Sequence, residues 1–366
     1  MPVGYLIGVL IAAIPMLLSV RPLARSGSPG RLSWIATCVI NEWPLIAVYW
    51  VIADTALAVG QGDIGSAGSW VGVAIAALSP CAAVVLVRRS LCARPVVGAA
   101  VEAPVKAHLG RILWAPLPFV HRDVERISDI SYGGAGRRNA LDVYRRRSGV
   151  ADGAPILIHF HGGGYTGGRK SKDGRPLLLR FARRGWLCIS ANYRVRPAAT
   201  FPDFVIDAKR VIAWARAHAG EYGADPGRVV IAGSSAGAHL GAIAALTPND
   251  PAFQPGFEDA DTSVSAFVGL YGYYGPVSMR TPGLRSAPAE YVHPGAPPFL
   301  IAHGSQDTLV PPARAAELAA RLGEVSRAAV VSIELPGAQH SFDLLRSARF
   351  EALVDGIEAF AARALA

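Results

Sequence analysis

Apolar and polar positions follow two different patterns along the chain. Over roughly the first ninety residues the apolar positions form long uninterrupted blocks. Val3 to Val20, VGYLIGVLIAAIPMLLSV, holds eighteen residues without a formal charge, about 27 Å as a helix and enough to cross a bilayer core. Trp34 to Gly60 and Ser69 to Val87 are two further apolar runs of spanning length. Three transmembrane helices, at about 3–20, 34–60 and 69–87, are therefore expected in a membrane domain over 1–94. Residues 95–125, with four prolines and mixed composition, read as a connector and partial cap. From about Ile127 short apolar runs alternate with amphipathic stretches. Strands are expected near 127–132, 140–146, 155–161, 186–192, 228–233, 265–271, 298–303 and 329–335, and helices near 174–184, 203–219, 235–246, 312–322 and 347–364. Continuously apolar strands separated by helices imply an α/β unit over 126–366, a mostly parallel sheet covered on both faces. Pro312 suits the first position of the helix ARAAELAARL, and Gly323 reads as its C-cap.

The arginines orient the apolar part. The loop after the first run carries Arg21, Arg25 and Arg31, the loop after the second carries only Asp63, and the third run is followed at once by Arg88, Arg89 and Arg94. The positive-inside rule then places the N-terminus outside and everything after the third span in the cytoplasm. A cleaved signal peptide fits poorly, since no basic segment precedes the first run and no small-residue cleavage site follows it. Asn41, Glu42 and Asp54 fall inside the second run. Either a carboxylate there faces a bundle interior or a partner, or the span is shifted, with Glu42 near the cytoplasmic interface, Asp54 near the outer one, and Trp43 and Trp50 as anchors.

Composition adds little that changes this picture. Hydrophobic residues make up 51% of the chain and the net charge is +9, with the basic residues scattered and no nucleic-acid motif among them. Contact with an anionic leaflet accounts for that charge more simply. The four cysteines, Cys38, Cys81, Cys92 and Cys188, lack metal-ligand spacing and read as free thiols. No metal or cofactor is called for.

Chemistry concentrates in four places. RVVIAGSSAGAHLGAIAAL, Arg228 to Leu246, runs strand, Gly-Ser-Ser-Ala-Gly, helix, the context in which G-x-S-x-G raises a serine on a strained turn. Ser235 is the candidate nucleophile. A serine hydroxyl needs a base to take its proton and an acid to orient that base. After Asp307, which ends PPFLIAHGSQD directly behind an apolar strand, a single histidine remains, His340, in the loop LPGAQHSFD. The acids Asp250, Glu258, Asp259, Asp261 and Glu317 are worse placed, and His239 and His303 read as structural. The assignment is Ser235, Asp307 and His340. Upstream, ILIHFHGGGYTGGRK puts three glycines straight behind a buried strand. Bare backbone there can bring N–H groups to a developing oxyanion, so Gly163 and Gly164, with the amide of Ala236, are the candidate donors. A phosphate loop would need Lys-Ser/Thr directly after its last glycine and a helix start there, a pattern that is missing.

With HGGGY, ANYRVRP, GSSAG, HGSQD and QHSFD in this order, the chain from about residue 125 onward resembles an α/β-hydrolase of the hormone-sensitive-lipase-like esterase group. Its anchored arrangement is similar to that of actinobacterial esterases and, more distantly, isoprenylcysteine methylesterases and arylacetamide deacetylases. The group usually has an aspartate where Ser234 stands and a second glycine at Ala238. The resemblance implies an eight-stranded α/β-hydrolase fold and hydrolysis of carboxylic esters through an acyl-enzyme on Ser235. It makes His161 structural. Tyr165, Tyr271, Tyr273 and Tyr274 either line the substrate pocket or only pack, with Tyr165 and Tyr271 the candidates for substrate contact. Only about twenty-five residues, 273–297, are available as a cap before Asp307, so the cover must come partly from 95–125. That suggests an open site for short- or medium-chain esters, although a neighbouring bilayer could deliver lipid esters. An amide-bond hydrolase with the same triad and a non-catalytic binding module are the alternatives.

Overall fold

The computed structural model describes residues 3–114, 117, 122–277 and 283–366. Eight strands form one sheet: β1 (Val124–Ser131), β2 (Ala140–Arg146), β3 (Ala154–Phe160), β4 (Leu187–Ala191), β5 (Ala224–Ser234), β6 (Ala266–Leu270), β7 (Phe299–Gly304) and β8 (Val330–Leu335). Their order is β1-β2-β4-β3-β5-β6-β7-β8. Pairing is antiparallel between β1 and β2 and between β2 and β4, and parallel from β4 to β8. The fully apolar runs become the central strands, buried along their whole length. Strands buried on both faces have no reason to alternate.

Ten helices complete the described chain: α1 (Val3–Val20), α2 (Gly27–Thr37), α3 (Leu45–Gly60), α4 (Ala67–Val101), α5 (Gly110–Leu113), α6 (Arg175–Arg183), α7 (Asp203–His218), α8 (Ala236–Leu246), α9 (Ala313–Val325) and α10 (Ala348–Ala364). One face of the sheet packs against α7, α8 and α9, through Phe204, Leu240 and Leu318 among others. The other packs against α6, α10 and the end of α4, through Phe181, Phe350 and Val97. The mixed, mostly parallel sheet is the architecture that the resemblance implies. α9 passes through Gly323 and is capped at Ser326, so that glycine is interior and not the expected cap.

The N-terminal part departs from the expected three spans. Among the described residues two helices, α1 and α4, are long and apolar enough to cross a membrane. The run 34–60 is broken. α2 ends at Thr37, residues 38–44 turn, and α3 begins after Pro44 with 16 residues, about 24 Å. Proline has no N–H with which to continue a helical ladder. The polar residues before it are also drawn away from the apolar bundle. Asn41 Nδ2 donates to the carbonyl of Gly337 at 3.0 Å, Ser347 Oγ donates to Glu42 Oε2 at 2.5 Å, and Arg349 pairs with Glu42 Oε1. Glu42 therefore lies at the junction with the α/β unit, neither within a span nor at an open interface. Asp54, on α3, faces Gly8 of α1, and its Oδ2 is buried without a partner among the described residues.

α4 also runs on without a break past residue 94, where the change of composition suggests a boundary. Its 35 residues make a rod of about 52 Å, and the last two turns are core: Ala93, Val97 and Val101 are fully buried against the α10 side of the sheet. Gly356 of α10 lets them in, since a Cβ there would run into Val97. The described part of the connector also packs on α10 and α3. Lys106 N and His108 Nε2 contact Asp355 Oδ2 at 3.0 and 2.9 Å, and Tyr49 Oη donates to the carbonyl of Leu113 at 3.0 Å. Residues 115, 116 and 118–121 of the expected cap, and 278–282 of the other, lie outside the described residues.

Arg349 has no solvent exposure, and among the described residues its only charged partner is Glu42. Glu42→Gln keeps the shape but strands that charge, and should cost about 3–5 kcal/mol, the usual penalty for breaking a buried pair from one side. Thermal unfolding in detergent measures it. Adding Arg349→Met should recover most of the loss.

Candidate active site

β5 ends at Ser234 and α8 starts at Ala236, so Ser235 must turn the chain in one residue. It does so with φ 55° and ψ −114°, a left-handed conformation that costs a non-glycine residue of order 1–3 kcal/mol and needs its surroundings to hold it. A Cβ at Gly233 would run into the main chain of Gly237, and one at Gly237 into the carbonyl of Phe160. Both glycines of the motif are thus required by close main-chain approach. Ser235 N donates to Leu270 O at 2.9 Å and fixes the turn to β6.

Asp307 and His340 arrive on the loops that follow β7 and β8. His340 Nδ1 lies 2.7 Å from Asp307 Oδ2, and its Nε2 lies 3.0 Å from Ser235 Oγ. A carboxylate at Nδ1 requires the proton on that nitrogen, so Nε2 carries the lone pair that faces the serine hydroxyl. Asp307 Oδ1 accepts the amides of Leu309 and Val310 at 2.9 and 2.8 Å. Burial alone would raise this carboxyl, but the charge of His340 and hydrogen bonds from His303 and His340 outweigh it and hold it at about 2. His303 Nε2 stands 3.2 Å from the same Oδ2. That histidine shares the acid with His340, a role its position at a strand end does not reveal.

The three glycines enter from the other side. Gly163 and Gly164 have φ of 130° and 58°, values that favour glycine. A Cβ at Gly163 would collide with the main chain of Gly167. A Cβ at Gly162 would come within 3.1 Å of the Ser235 side chain, which measures how close the loop runs to the elbow. The amides of Gly163, Gly164 and Ala236 donate to no protein group among the described residues. Amides left free beside a serine are what an oxyanion would need.

Beneath these loops lies a polar layer that spacing does not show. Asp173 Oδ2 accepts the Gly162 amide at 2.8 Å, and Asp343 Oδ2 accepts Ser234 Oγ at 2.6 Å and the Gly174 amide at 3.0 Å. His159 Nε2 meets Ser234 Oγ at 2.9 Å, and Tyr271 donates to Asp343 Oδ1. Burial and then the neighbouring Asp173 charge push the Asp343 carboxyl up, and burial likewise raises Asp173. Burial lowers His159 to about 3 and His161 and His239 to about 4, so all three are neutral scaffold. His161 stacks on Tyr193 with centroids 4.4 Å apart. Tyr165 and Tyr271 are buried. Tyr165 Oη reaches Ala236 O at 3.0 Å and His239 Nδ1 at 2.6 Å, and the Tyr271 ring meets His340 edge-on at 4.5 Å. Tyr274 is buried too, whereas Tyr273 is partly exposed.

Comparison with known proteins agrees with this chemistry. The family model BD-FAE matches residues 141–283. The chain is 36% identical to the probable carboxylic ester hydrolase LipM of Mycobacterium tuberculosis, with 100% of this chain and 94% of LipM covered. It is 37% identical to the esterase LipQ of the same organism, over 92% of this chain and 86% of LipQ. Among solved structures, a thermophilic esterase of Thermogutta terrifontis matches with a TM-score of 0.55 at 27% identity, covering 65% of this chain and 91% of that one. The same esterase is also solved phosphorylated by paraoxon, at TM-score 0.52 and 28% identity, covering 62% of this chain and 86% of that one.

The buried acids set the sign of the pH dependence. Asp307, held below its unfolded value near 3.9, contributes stability that is lost as pH falls through about 2. Asp343, held above it, favours the protonated folded state, so its contribution declines as pH rises from about 4 toward its folded value, by at most about 1.4 kcal/mol per pH unit. Asp343→Asn should flatten the fall of stability between weakly acidic and neutral pH and leave the acid limb in place. Denaturant midpoints across that range read both.

Proposed function

The chain belongs to the α/β-hydrolase family of serine esterases and lipases, and from that membership and the site geometry we propose a membrane-anchored carboxylesterase working through an acyl-enzyme on Ser235. Serine ester hydrolysis is the activity. The roles, the anchoring and the acyl range are the proposal, and the observation that carries it is the line from Ser235 Oγ through His340 to Asp307, with its steps of 3.0 and 2.7 Å.

Ser235 Oγ attacks the ester carbonyl carbon while His340 Nε2 takes the hydroxyl proton. The carbonyl oxygen becomes an oxyanion received by the amides of Gly163, Gly164 and Ala236. Loss of one such donor costs about 2.7–4 kcal/mol where a side-chain donor has been removed. Asp307 stabilises the imidazolium. The intermediate collapses, the alcohol leaves with the proton from His340, and water attacks the acyl-enzyme by the same steps in reverse order. An amide bond would follow the same route with a poorer leaving group. LipM and LipQ bear ester-hydrolase and esterase names, which favours the ester.

α1 and α4 support the anchor; with α3 carrying the chain back across between them, the arginines that follow the first and third apolar runs support placing the hydrolase unit in the cytoplasm with the N-terminus outside. The substrate is a small-molecule or lipid ester, and the short stretch available as a cap before Asp307, residues 273–297, supports short or medium acyl chains.

A membrane-impermeant fluorophosphonate tests nucleophile and sidedness together. Wild type should be labelled in lysate and not in intact cells, and Ser235→Ala in neither. Labelling of intact cells would put the domain outside, and labelling of the alanine variant would move the nucleophile. Activity over p-nitrophenyl esters should peak at short or medium chains and exceed that on acetanilides. A maximum at long chains, or preference for the anilides, would overturn the substrate assignment.

A further inference from the structure

The loops that carry Asp307 and His340 are not held by the hydrolase unit alone. α2, the short helix between α1 and α3, lies directly on both. Trp34 Nε1 donates to the carbonyl of His340 itself at 3.2 Å, and its ring meets the imidazole edge-on, with centroids 6.0 Å apart. One turn earlier, Gly30 O accepts Thr308 Oγ1 at 2.8 Å, next door to Asp307. A Cβ at Gly30 would stand 2.5 Å from Thr308 O, so the contact is main chain on main chain. Gly30 and Trp34, at i and i+4, share one helical face.

α2 is clamped at both ends. Before it, Arg89 of α4 donates to Val20 O at 3.0 Å and to Gln306 Oε1 at 3.2 Å, joining the last turn of α1 to the residue before Asp307. After it, Asn41 and Glu42 hold Gly337, Ser347 and Arg349, on either side of His340. The helix is also inverted. Its buried positions are Gly30, Ser33 and Thr37, while Leu32 and Ile35 are 58% and 57% exposed. A helix that hides its small and polar side against a catalytic loop and turns leucine and isoleucine outward is built to sit between a protein and an apolar phase.

We propose that Trp34 is a positioning residue for the catalytic base, so that the N-terminal helices complete the active site as well as anchoring it. This rests on the reading of His340 as that base. By fixing the His340 carbonyl and one edge of its ring, Trp34 keeps Nε2 on the line to Ser235 Oγ. The helix carries that constraint from the apolar bundle to the triad.

The test is a kcat against KM split on the full-length protein in detergent, with p-nitrophenyl acetate as substrate. Trp34→Ala should lower kcat about ten- to a hundred-fold, the range for misplacing a catalytic group by about an ångström, with KM little changed. Fluorophosphonate labelling should slow in proportion. Trp34→Phe keeps the ring and loses the N–H donor, and should recover part of kcat. Leu32→Ala, on the outward face of the same helix, should keep the wild-type kcat. The proposal is overturned if Trp34→Ala keeps kcat, if its whole effect appears in KM, or if Leu32→Ala loses as much. It is also overturned if Trp34→Ala is too unstable to assay and Trp34→Phe matches wild type in kcat. Failure of wild type itself to be labelled would instead strike the triad assignment.

Discussion

The site depends on one close approach, the contact between the main chain of Gly237 and the carbonyl of Phe160, where no Cβ could stand. It lets the first turn of α8 ride over the end of β3, and that crossing holds Ser235 at positive φ at the C-terminal end of the central strand β5. It also brings the HGGG loop, which leaves β3 at the same point, alongside the serine. Ser235 and the free amides are therefore set by a single crossing of backbone. Their spacing is then insensitive to side-chain motion, which suits groups whose value lies in being in place before charge develops.

The proposed base and its acid are held less directly. Asp307 and His340 sit on loops beyond β7 and β8, toward the far edge of the sheet, where the hydrolase unit supplies few covering elements. The covering comes from the N-terminal helices. α4 enters the core as a continuous rod, α1 is tied through Arg89 to the Asp307 loop, and the turn between α2 and α3 is locked by Glu42 and Arg349. A buried ion pair contributes little net stability compared with apolar packing, but it penalises every arrangement in which one partner is missing. At this junction it fixes register.

Much of this was legible in the sequence, and the reason differs from residue to residue. Ser235, Gly233 and Gly237 declare themselves because the strained turn admits few residue types, and the geometry brings Ser235, Asp307 and His340 together in the order their motifs stand. Parallel strands announce themselves through unbroken apolar runs. Glu42 was harder to place. Within an apolar stretch a carboxylate reads as intramembrane or interfacial, and only the fold reveals an arginine some three hundred residues away. Tyr165 and Tyr271 were candidates for the pocket because tyrosine is amphipathic, and hydroxyls bonded to His239 and Asp343 turn them inward. Asp343 closes the QHSFD motif three residues beyond His340, but nothing in the motif shows that its carboxylate turns back under the elbow. It supplies a carboxylate beneath the elbow, bonded to the hydroxyl of Ser234.

The arginines show why one residue can serve two arguments. Arg89 counts toward the charge bias that orients a span, and for that purpose any cation after the third run would do. Its contacts are specific: it caps the exposed carbonyls at the end of α1, where a positive charge is favoured by the helix dipole, and reaches across to Gln306. Gly337 must be bare for it to pass. A single nitrogen, Nη1, makes all of these contacts, to the carbonyls of Ser19 and Val20 and to Gln306 Oε1, and so ties α1 to the Asp307 loop. The charge that would orient a span and the contact that binds the bundle to the Asp307 loop thus reside in one side chain.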